Sequence, residues 1–561
     1  MDNKDYLGIV NKVFGYSGRS FLEYAWNRII GSDLVVVEAP TGYGKTSLSQ
    51  AFSLYALDQG FKSIVVYPIR SLLEDQYSRF IRLYSRLGFK DYVGTRYMYH
   101  VESRYFVKPV TLTTIDTLSL TLFGLEPRDL DKVIKRELYG YVNYSLGHYL
   151  FSRASTLLSD IVLDEVHLLA DTTKSLNFLA SLIKISYQNK CRMLMLSATL
   201  PRALEETLKQ IHSGIEIIRF DESIDQSFVD ERRKKKIYID MEEIKSESDK
   251  YRFIIDWLKK KIRELNNKYR VLIVFNTVNE AIKMYDKIMR DDEIKGEKIL
   301  LHSRFREETR RSKINRLKEL ANRGENYIVV TTQVIEVGVD ISSNIFVTDI
   351  APANSLIQRL GRFLRYPGEN EGYLLIWFDK GGDKYYKVYD RELIVRTWEY
   401  LLDHMENFRP HLPSEYQTLL DHVYDHDDYR VDDRVDDLVG LTLQLSNIKR
   451  SVEEFIELEG SFVREGLNIP VVVEEIVDRG PSLNELLKYI VSVNISLLKS
   501  ESVIGELVLE DGNCKKRVVD PNLFRSDKVW RKKLLSRVLS SDFIAFIIRG
   551  RYDDERGLVI E

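Results

Sequence analysis

The sequence predicts an α/β protein: two tandem parallel-sheet lobes followed by a mostly helical C-terminal domain. Three observations carry that prediction. From about residue 31, short runs rich in β-branched apolar residues alternate with longer amphipathic stretches, the pattern of a parallel sheet covered by helices. The same alternation restarts near Tyr251. Beyond about residue 400 it gives way to mostly helical periodicity. The expected division is a lead-in over 1–30, a first lobe over 31–215, a linker over 216–250, a second lobe over 251–400 and an accessory domain over 401–561.

In the first lobe the candidate strands are Leu34 to Val37, Ser63 to Tyr67, Ile161 to Leu163 and Met193 to Leu196. Each runs directly into a polar motif, and ligands of such sheets bind at the carboxyl ends of the strands. After the first strand comes Ala39-Pro40-Thr41-Gly42-Tyr43-Gly44-Lys45-Thr46, a phosphate loop with alanine at its first glycine position. Gly42 and Gly44 let backbone N–H groups turn in on phosphates, and the following helix adds the partial positive charge of its N-terminus. Lys45 is expected at the β- and γ-phosphates, and the Thr46 hydroxyl in a Mg2+ shell beside a carboxylate. That carboxylate is Asp164 of Asp164-Glu165-Val166-His167, with Glu165 as the base for the attacking water. Ser197-Ala198-Thr199 follows about thirty residues later, after another strand.

The second lobe is expected to place strands at Val271 to Phe275, Tyr327 to Val330, Ile345 to Thr348 and Tyr373 to Phe378. The stretch Gln358-Arg359-Leu360-Gly361-Arg362-Phe363-Leu364-Arg365 spaces Arg362 and Arg365 three apart, as if on one helix face. They are the candidate arginine fingers for a transferring phosphoryl group. In Thr331 to Asp340 hydroxyls are placed to bind a phosphodiester backbone, with Asp340 and Gly338 on the nucleotide side.

With 82 Lys+Arg against 85 Asp+Glu, a polyanion must be held by a local channel, because the whole-protein field will not attract it. Two distant cysteines, Cys191 and Cys514, exclude a disulfide framework and a paired zinc site, and fit a reduced compartment. No run of about 18 apolar residues and no signal-peptide pattern is present. A cytoplasmic protein without membrane partners is expected.

Over residues 30 to 380 the chain resembles superfamily-two DExH helicases, since seven motifs occur in order. Besides those above they include Tyr67 to Leu72 and Thr113-Thr114-Ile115-Asp116. The Asp-Glu-Val-His box, Leu301-His302-Ser303-Arg304-Phe305 and Thr332 to Asp340 are similar to the helicase of type I CRISPR interference. The resemblance implies two RecA-like lobes, ATP and Mg2+ as cofactors, and 3′-to-5′ movement on single-stranded DNA opened by an RNA-guided surveillance complex. It also implies that Pro68, Arg70, Thr114, Asn276, Thr277, Ser303, Arg304 and Thr332 contact DNA, and that His167 and Gln358 link the lobes near the γ-phosphate. The phosphate loop begins at residue 39, so the expected form is the separate helicase subunit that works with a stand-alone HD-type nuclease. No convincing adenine-reading glutamine occurs between Phe14 and Arg28.

None of these motifs reads a 2′-hydroxyl or a base edge, so an RNA helicase or repair helicase is the nearest alternative. A clamp that uses ATP only to fasten a complex onto DNA is the alternative of another kind. In the accessory domain, Asp421-His422, Asp425-His426 and the aspartates to Asp437 read as a solvated face rather than a metal site. The basic residues Lys515 to Arg517 and Arg531 to Lys533 read as solvating, or as the rim of a DNA channel.

Overall fold

The computed structural model describes residues 5–97, 100–126, 130–139, 147–244, 247–265, 268–336, 338–366, 368–379, 388–443, 448–510, 513–525, 527–540 and 542–560. The chain forms two compact units: the residues up to Asp221 with His426–Gly550, and Glu222–Asp425 with Arg551–Val559.

The first unit is built on an eight-stranded sheet. Its strands are β1 (Leu34–Glu38), β2 (Lys62–Tyr67), β3 (Val93–Tyr97), β4 (His100–Val101), β5 (Val110–Thr114), β6 (Ser159–Leu163), β7 (Met193–Ser197) and β8 (Glu216–Ile218). The order is β4-β3-β5-β2-β6-β7-β1-β8, parallel except for the β3–β4 edge. β1, β6 and β7 are buried along their whole length, as parallel strands covered on both faces must be, which is why they read as unbroken apolar runs. β6, β7 and β1 are neighbours, so the turns leaving their carboxyl ends lie side by side.

The second unit holds six parallel strands: β9 (Lys236–Ile244), β10 (Arg270–Val274), β11 (Glu297–Leu301), β12 (Tyr327–Thr331), β13 (Ile345–Asp349) and β14 (Glu371–Asp379). They are ordered β11-β12-β10-β13-β14-β9. A core of Trp377, Phe275, Tyr251, Met284 and the inward residues of β10, β12 and β13 fills the space between sheet and helices. Residues 216–250, expected as a linker, contribute β8 to the first sheet and β9 to the second, with the helix Gln226–Arg233 between them. Within the run Arg232-Arg233-Lys234-Lys235-Lys236, Lys235 is buried and its Nζ donates to Leu364 O at 2.6 Å and Glu369 O at 3.1 Å.

The accessory region is helical from Arg391 to Glu457 in the elements Arg391–His404, Pro413–Val423, Arg434–Leu443 and Ile448–Glu457. After Glu457 it adds a five-stranded sheet that the periodicity did not announce. Its strands are β15 (Asn468–Val473), β16 (Val491–Asn494), β17 (Val503–Glu510), β18 (Asn513–Arg517) and β19 (Phe543–Ile548), ordered β16-β15-β19-β17-β18. A two-stranded hairpin closes the chain, β20 (Gly550–Asp553) and β21 (Gly557–Ile560). No helix among the described residues is long and apolar enough to cross a membrane.

Candidate functional site

In the first unit the phosphate loop leaves β1, the Asp-Glu-Val-His box leaves β6 and Ser197-Ala198-Thr199 leaves β7, three neighbouring strand ends. The loop is tied to its neighbour by Ala39 N–H donating to Ser197 O at 3.0 Å. Gly42 and Gly44 have φ of 76° and 104°, values that a side chain would strain, so glycine is required for the loop to curl before the helix Thr46–Asp58. Lys45 is buried and its Nζ donates to Ala39 O at 2.7 Å and to Pro40 O at 3.4 Å, folded back across the loop that it closes. Thr41 and Thr46 are half-buried in the same turn. Tyr43, by contrast, serves the loop from behind: its ring packs edge-on against Phe21 and Phe220, with the Arg19 guanidinium over its face.

Asp164 is buried, and burial together with the neighbouring Glu165 raises its carboxyl to about 7 against the opposing pull of Lys45. Glu165 sits in the left-handed region, φ 56° and ψ 50°, an uncommon conformation for a non-glycine residue. His167 Nδ1 lies 3.2 Å from Ser197 Oγ and 3.6 Å from Glu165 Oε2. The Ser197 hydroxyl hydrogen goes to Thr199 O, so Nδ1 is the donor and Nε2 an acceptor. Burial lowers the His167 pKa and keeps the ring neutral. Glu165 Oε2 and His167 Nε2 are buried without a hydrogen-bond partner among the described residues. Buried groups of this kind require a partner, and two adjacent carboxyls that raise each other's cost of ionisation fit a divalent cation, whose charge would favour the carboxylate form of Asp164.

Of the other first-unit residues, Thr114 caps the helix Ile115–Leu122, its hydroxyl accepting from Thr117 N at 3.4 Å. Pro68 O accepts from Arg464 at 2.6 Å, and the same guanidinium grips Asp116 at 2.7 and 2.8 Å. Arg70 opens the helix Arg70–Arg86. Arg464 lies far along the chain in the accessory region, and nothing in its local sequence signals this role.

In the second unit the helix carrying Gln358 ends at Leu360, so Arg362 and Arg365 do not share a helix face. The departing backbone passes through Leu364 at φ 46°, which turns the two side chains apart. Buried Arg362 donates to Ile335 O at 3.1 Å and Glu336 O at 2.8 Å. Arg365 pairs with Asp340 at 2.9 Å, two residues beyond Gly338 at φ 79°. Gln358 is buried, with Nε2 unpartnered among the described residues.

The centre of this cluster is Arg359, which the sequence reasoning passed over between two quoted neighbours. Its side chain is fully buried and every nitrogen is engaged: Nε to Glu336 at 2.8 Å, NH1 to Thr348 Oγ1 at 3.2 Å and Asp349 O at 3.1 Å, NH2 to Asn276 Oδ1 at 2.8 Å and Tyr389 OH at 3.1 Å. Asn276 is thus interior, its amide also donating to Ile350 O at 2.8 Å. Thr277 caps the helix Val278–Met289, and Thr332 is buried at the start of the Gln333–Ile335 turn. Ser303 is exposed, while Arg304 is buried with NH1 on Asn279 Oδ1 at 2.9 Å.

The Asp/His patch disperses into separate contacts. His426 pairs with Glu206, Asp427 with Arg430, Asp436 with Lys184 and Asp437 with Arg450. No cluster of three or more potential metal ligands occurs among the described residues. The basic stretches are matched by acids: Lys515 and Arg517 by Glu510, Lys516 by Glu474, Arg531 by Glu459 and Lys532 by Glu457.

Comparison with known proteins agrees with this geometry. The DEAD/DEAH box helicase family matches residues 21–207, and the C-terminal family of CRISPR-associated nuclease/helicase Cas3 matches 267–368. The CRISPR-associated nuclease/helicase Cas3 of Methanothermobacter thermautotrophicus is 26% identical over 358 residues, 60% of this chain and 39% of that protein. The CRISPR-associated helicase Cas3 of Thermoproteus tenax is 24% identical over 366 residues, 63% of this chain and 57% of that protein. The chain therefore spans about half the length of these relatives. The crystal structure of T. fusca Cas3 superposes with a TM-score of 0.65 at 17% identity, covering 98% of this chain and 70% of that one.

Proposed function

We propose that this chain, in which a match to the DEAD/DEAH box helicase family is followed by a match to the Cas3 C-terminal family, is a Cas3-like helicase that moves 3′-to-5′ on single-stranded DNA by ATP hydrolysis in CRISPR interference. The observation that carries the reading is that Lys45 after β1, Asp164, Glu165 and His167 after β6, and Ser197 at the end of β7 lie on three adjacent strand ends, with unpartnered acceptors on Glu165 and His167.

In this reading Lys45 leaves the carbonyls of Ala39 and Pro40 for the β- and γ-phosphates, and the loop amides around Gly42 and Gly44 take the remaining oxygens. Thr46 and Asp164 would hold Mg2+, which would supply charge neutralisation at the phosphate oxygens. Glu165 accepts the proton of the attacking water at its free Oε2, and the neutral His167 ring fixes that carboxylate's surroundings. Arg362 and Arg365 offset charge on the transferring phosphoryl group. On the nucleic-acid side, Arg70, Thr277 and Ser303 are accessible to a phosphodiester backbone, whereas Asn276, Thr114 and Thr332 act by shaping the turns that present them. A separate HD-type nuclease and an RNA-guided surveillance complex complete the assignment as partners. The resemblance of the chain to Cas3 proteins supports the surveillance complex.

The test is ATP turnover by the purified chain alone, with single-stranded DNA and with single-stranded RNA, using Lys45→Ala as the blank. Stimulation by DNA over RNA is expected. Equal or stronger stimulation by RNA replaces the DNA motor with an RNA helicase.

A further inference from the structure

The terminal hairpin is packed onto the turn that follows β11. Leu558 N–H donates to Arg304 O at 3.0 Å, His302 Nε2 meets Arg556 O at 3.0 Å, and Arg306 N–H donates to Tyr552 OH at 3.2 Å. Within His302 the other nitrogen, Nδ1, accepts from Arg304 N at 3.2 Å, so the ring is a neutral Nε2–H tautomer that donates outward to the hairpin. Burial pushes His302 down to about 3, which keeps that polarity through the neutral range.

Side chains reinforce the backbone contacts. The Arg306 guanidinium lies over the Tyr552 ring and pairs with Asp554 at 2.6 Å, and Thr309 donates to the same carboxylate at 2.9 Å. Arg556 reaches the other flank, pairing with Asp286 at 2.8 Å. Gly557 makes the approach possible: at φ 68°, a Cβ there would meet Arg304 O and the His302 ring at 2.9 Å. Polar groups of the turn at His302, Arg304 and Arg306 thus each find a partner in the hairpin, and Ser303 stays exposed.

We propose that the hairpin of β20 and β21 is a positioning device for nucleic-acid binding: it fixes the His302–Arg306 turn so that Ser303 and its neighbours present a preformed phosphate contact. The proposal rests on the motor reading above and adds residues to it, Tyr552, Asp554, Arg556 and Gly557, that lie outside all seven motifs. A preformed contact avoids ordering the turn at each binding step, so loosening it should weaken the grip on DNA without touching the hydrolysis residues.

The experiment uses the full chain with Tyr552→Phe, which removes the hydroxyl that accepts from Arg306 N and donates to Thr309 Oγ1, and Gly557→Val, which blocks the close approach. The single-stranded DNA concentration for half-maximal ATP turnover should rise about fivefold in Tyr552→Phe. It should rise further in Gly557→Val. Turnover without DNA and turnover at saturating DNA should both hold, a split that general destabilisation would not give. Amide hydrogen exchange over residues 302–309 should quicken in both variants. A half-saturation point that stays put while the wild type responds to DNA overturns this proposal alone. One that falls also overturns it, since the acidic hairpin would then be competing with phosphates. A wild type indifferent to both DNA and RNA overturns the motor reading and this proposal with it.

Discussion

Replacing Arg359 with methionine keeps the buried volume close to the original and removes five donated hydrogen bonds at once. The largest consequence falls on Glu336. Burial already raises its carboxyl above the usual range, and Arg359 is the leading opposing influence. Deleting one partner of a buried ion pair costs about 3–5 kcal/mol, because the remaining charge is left in a poor solvent. The orphaned Asn276 and Thr348 oxygens add about 1 kcal/mol each.

The second lobe of Arg359→Met should therefore lose about 5–7 kcal/mol against denaturant, read as a lower unfolding midpoint with an unchanged slope. The loss depends on pH in a defined direction. A carboxyl whose folded pKa exceeds its unfolded value binds more protons when folded, so stability falls as pH rises from the unfolded pKa through the folded one. Without Arg359 the folded pKa of Glu336 rises further, and the deficit should be smaller at pH 5 than at pH 8. Adding Glu336→Gln should recover much of it at pH 8. A single variant within about 1 kcal/mol of wild type, or a double variant no better than the single, would refute the reasoning.

Three further outcomes follow from the same geometry. Glu165→Gln should lower ATP turnover about 10²–10⁴-fold while leaving nucleotide binding intact, and turnover above one tenth of wild type would remove Glu165 as the base. Arg464→Ala should change stability by no more than about 1 kcal/mol, since its pair with Asp116 is partly exposed, yet weaken DNA stimulation by loosening Pro68 and Asp116; unchanged DNA half-saturation counts against that link. Reversing Lys515 and Lys516 to glutamate should leave the salt dependence of DNA binding in place, because both are already matched by Glu510 and Glu474; a slope shallower by about one unit or more would make them phosphate contacts.

The first lobe was legible because its chemistry is local. A strand, a turn and a helix N-terminus follow one another within residues 34–58, and the glycines mark where the backbone must turn. The arginine cluster was legible in composition but not in role. Spacing suggested a common helix face for Arg362 and Arg365, and the helix stops at Leu360, where Gly361 and the left-handed Leu364 redirect the chain. Arg359 escaped notice because its five partners come from four separate places in the sequence. The five-stranded sheet after Glu457 escaped for a related reason: its strands are short, antiparallel pairs mix with a parallel one, and helices interrupt them.

Local rules of folding are broken at several places in this chain, at Tyr105, Lys190 and Glu459 among others, and the candidate chemistry holds a group of them. Glu165 adopts a left-handed backbone, Asp164 carries a carboxyl raised to about 7, and His167 and Gln358 keep buried polar atoms unpartnered among the described residues. Each costs free energy that the fully buried strands beneath must offset. Arg359 and Lys250 show the opposite condition. Both are buried charges, and both are closed by acids, Arg359 by Glu336 and Lys250 by Glu280 and Asp379. Burial alone therefore does not separate a functional group from a structural one here. What sets Glu165 and His167 apart is that their unpartnered atoms lie at strand ends beside the phosphate loop, whereas Arg359 is saturated by its own lobe.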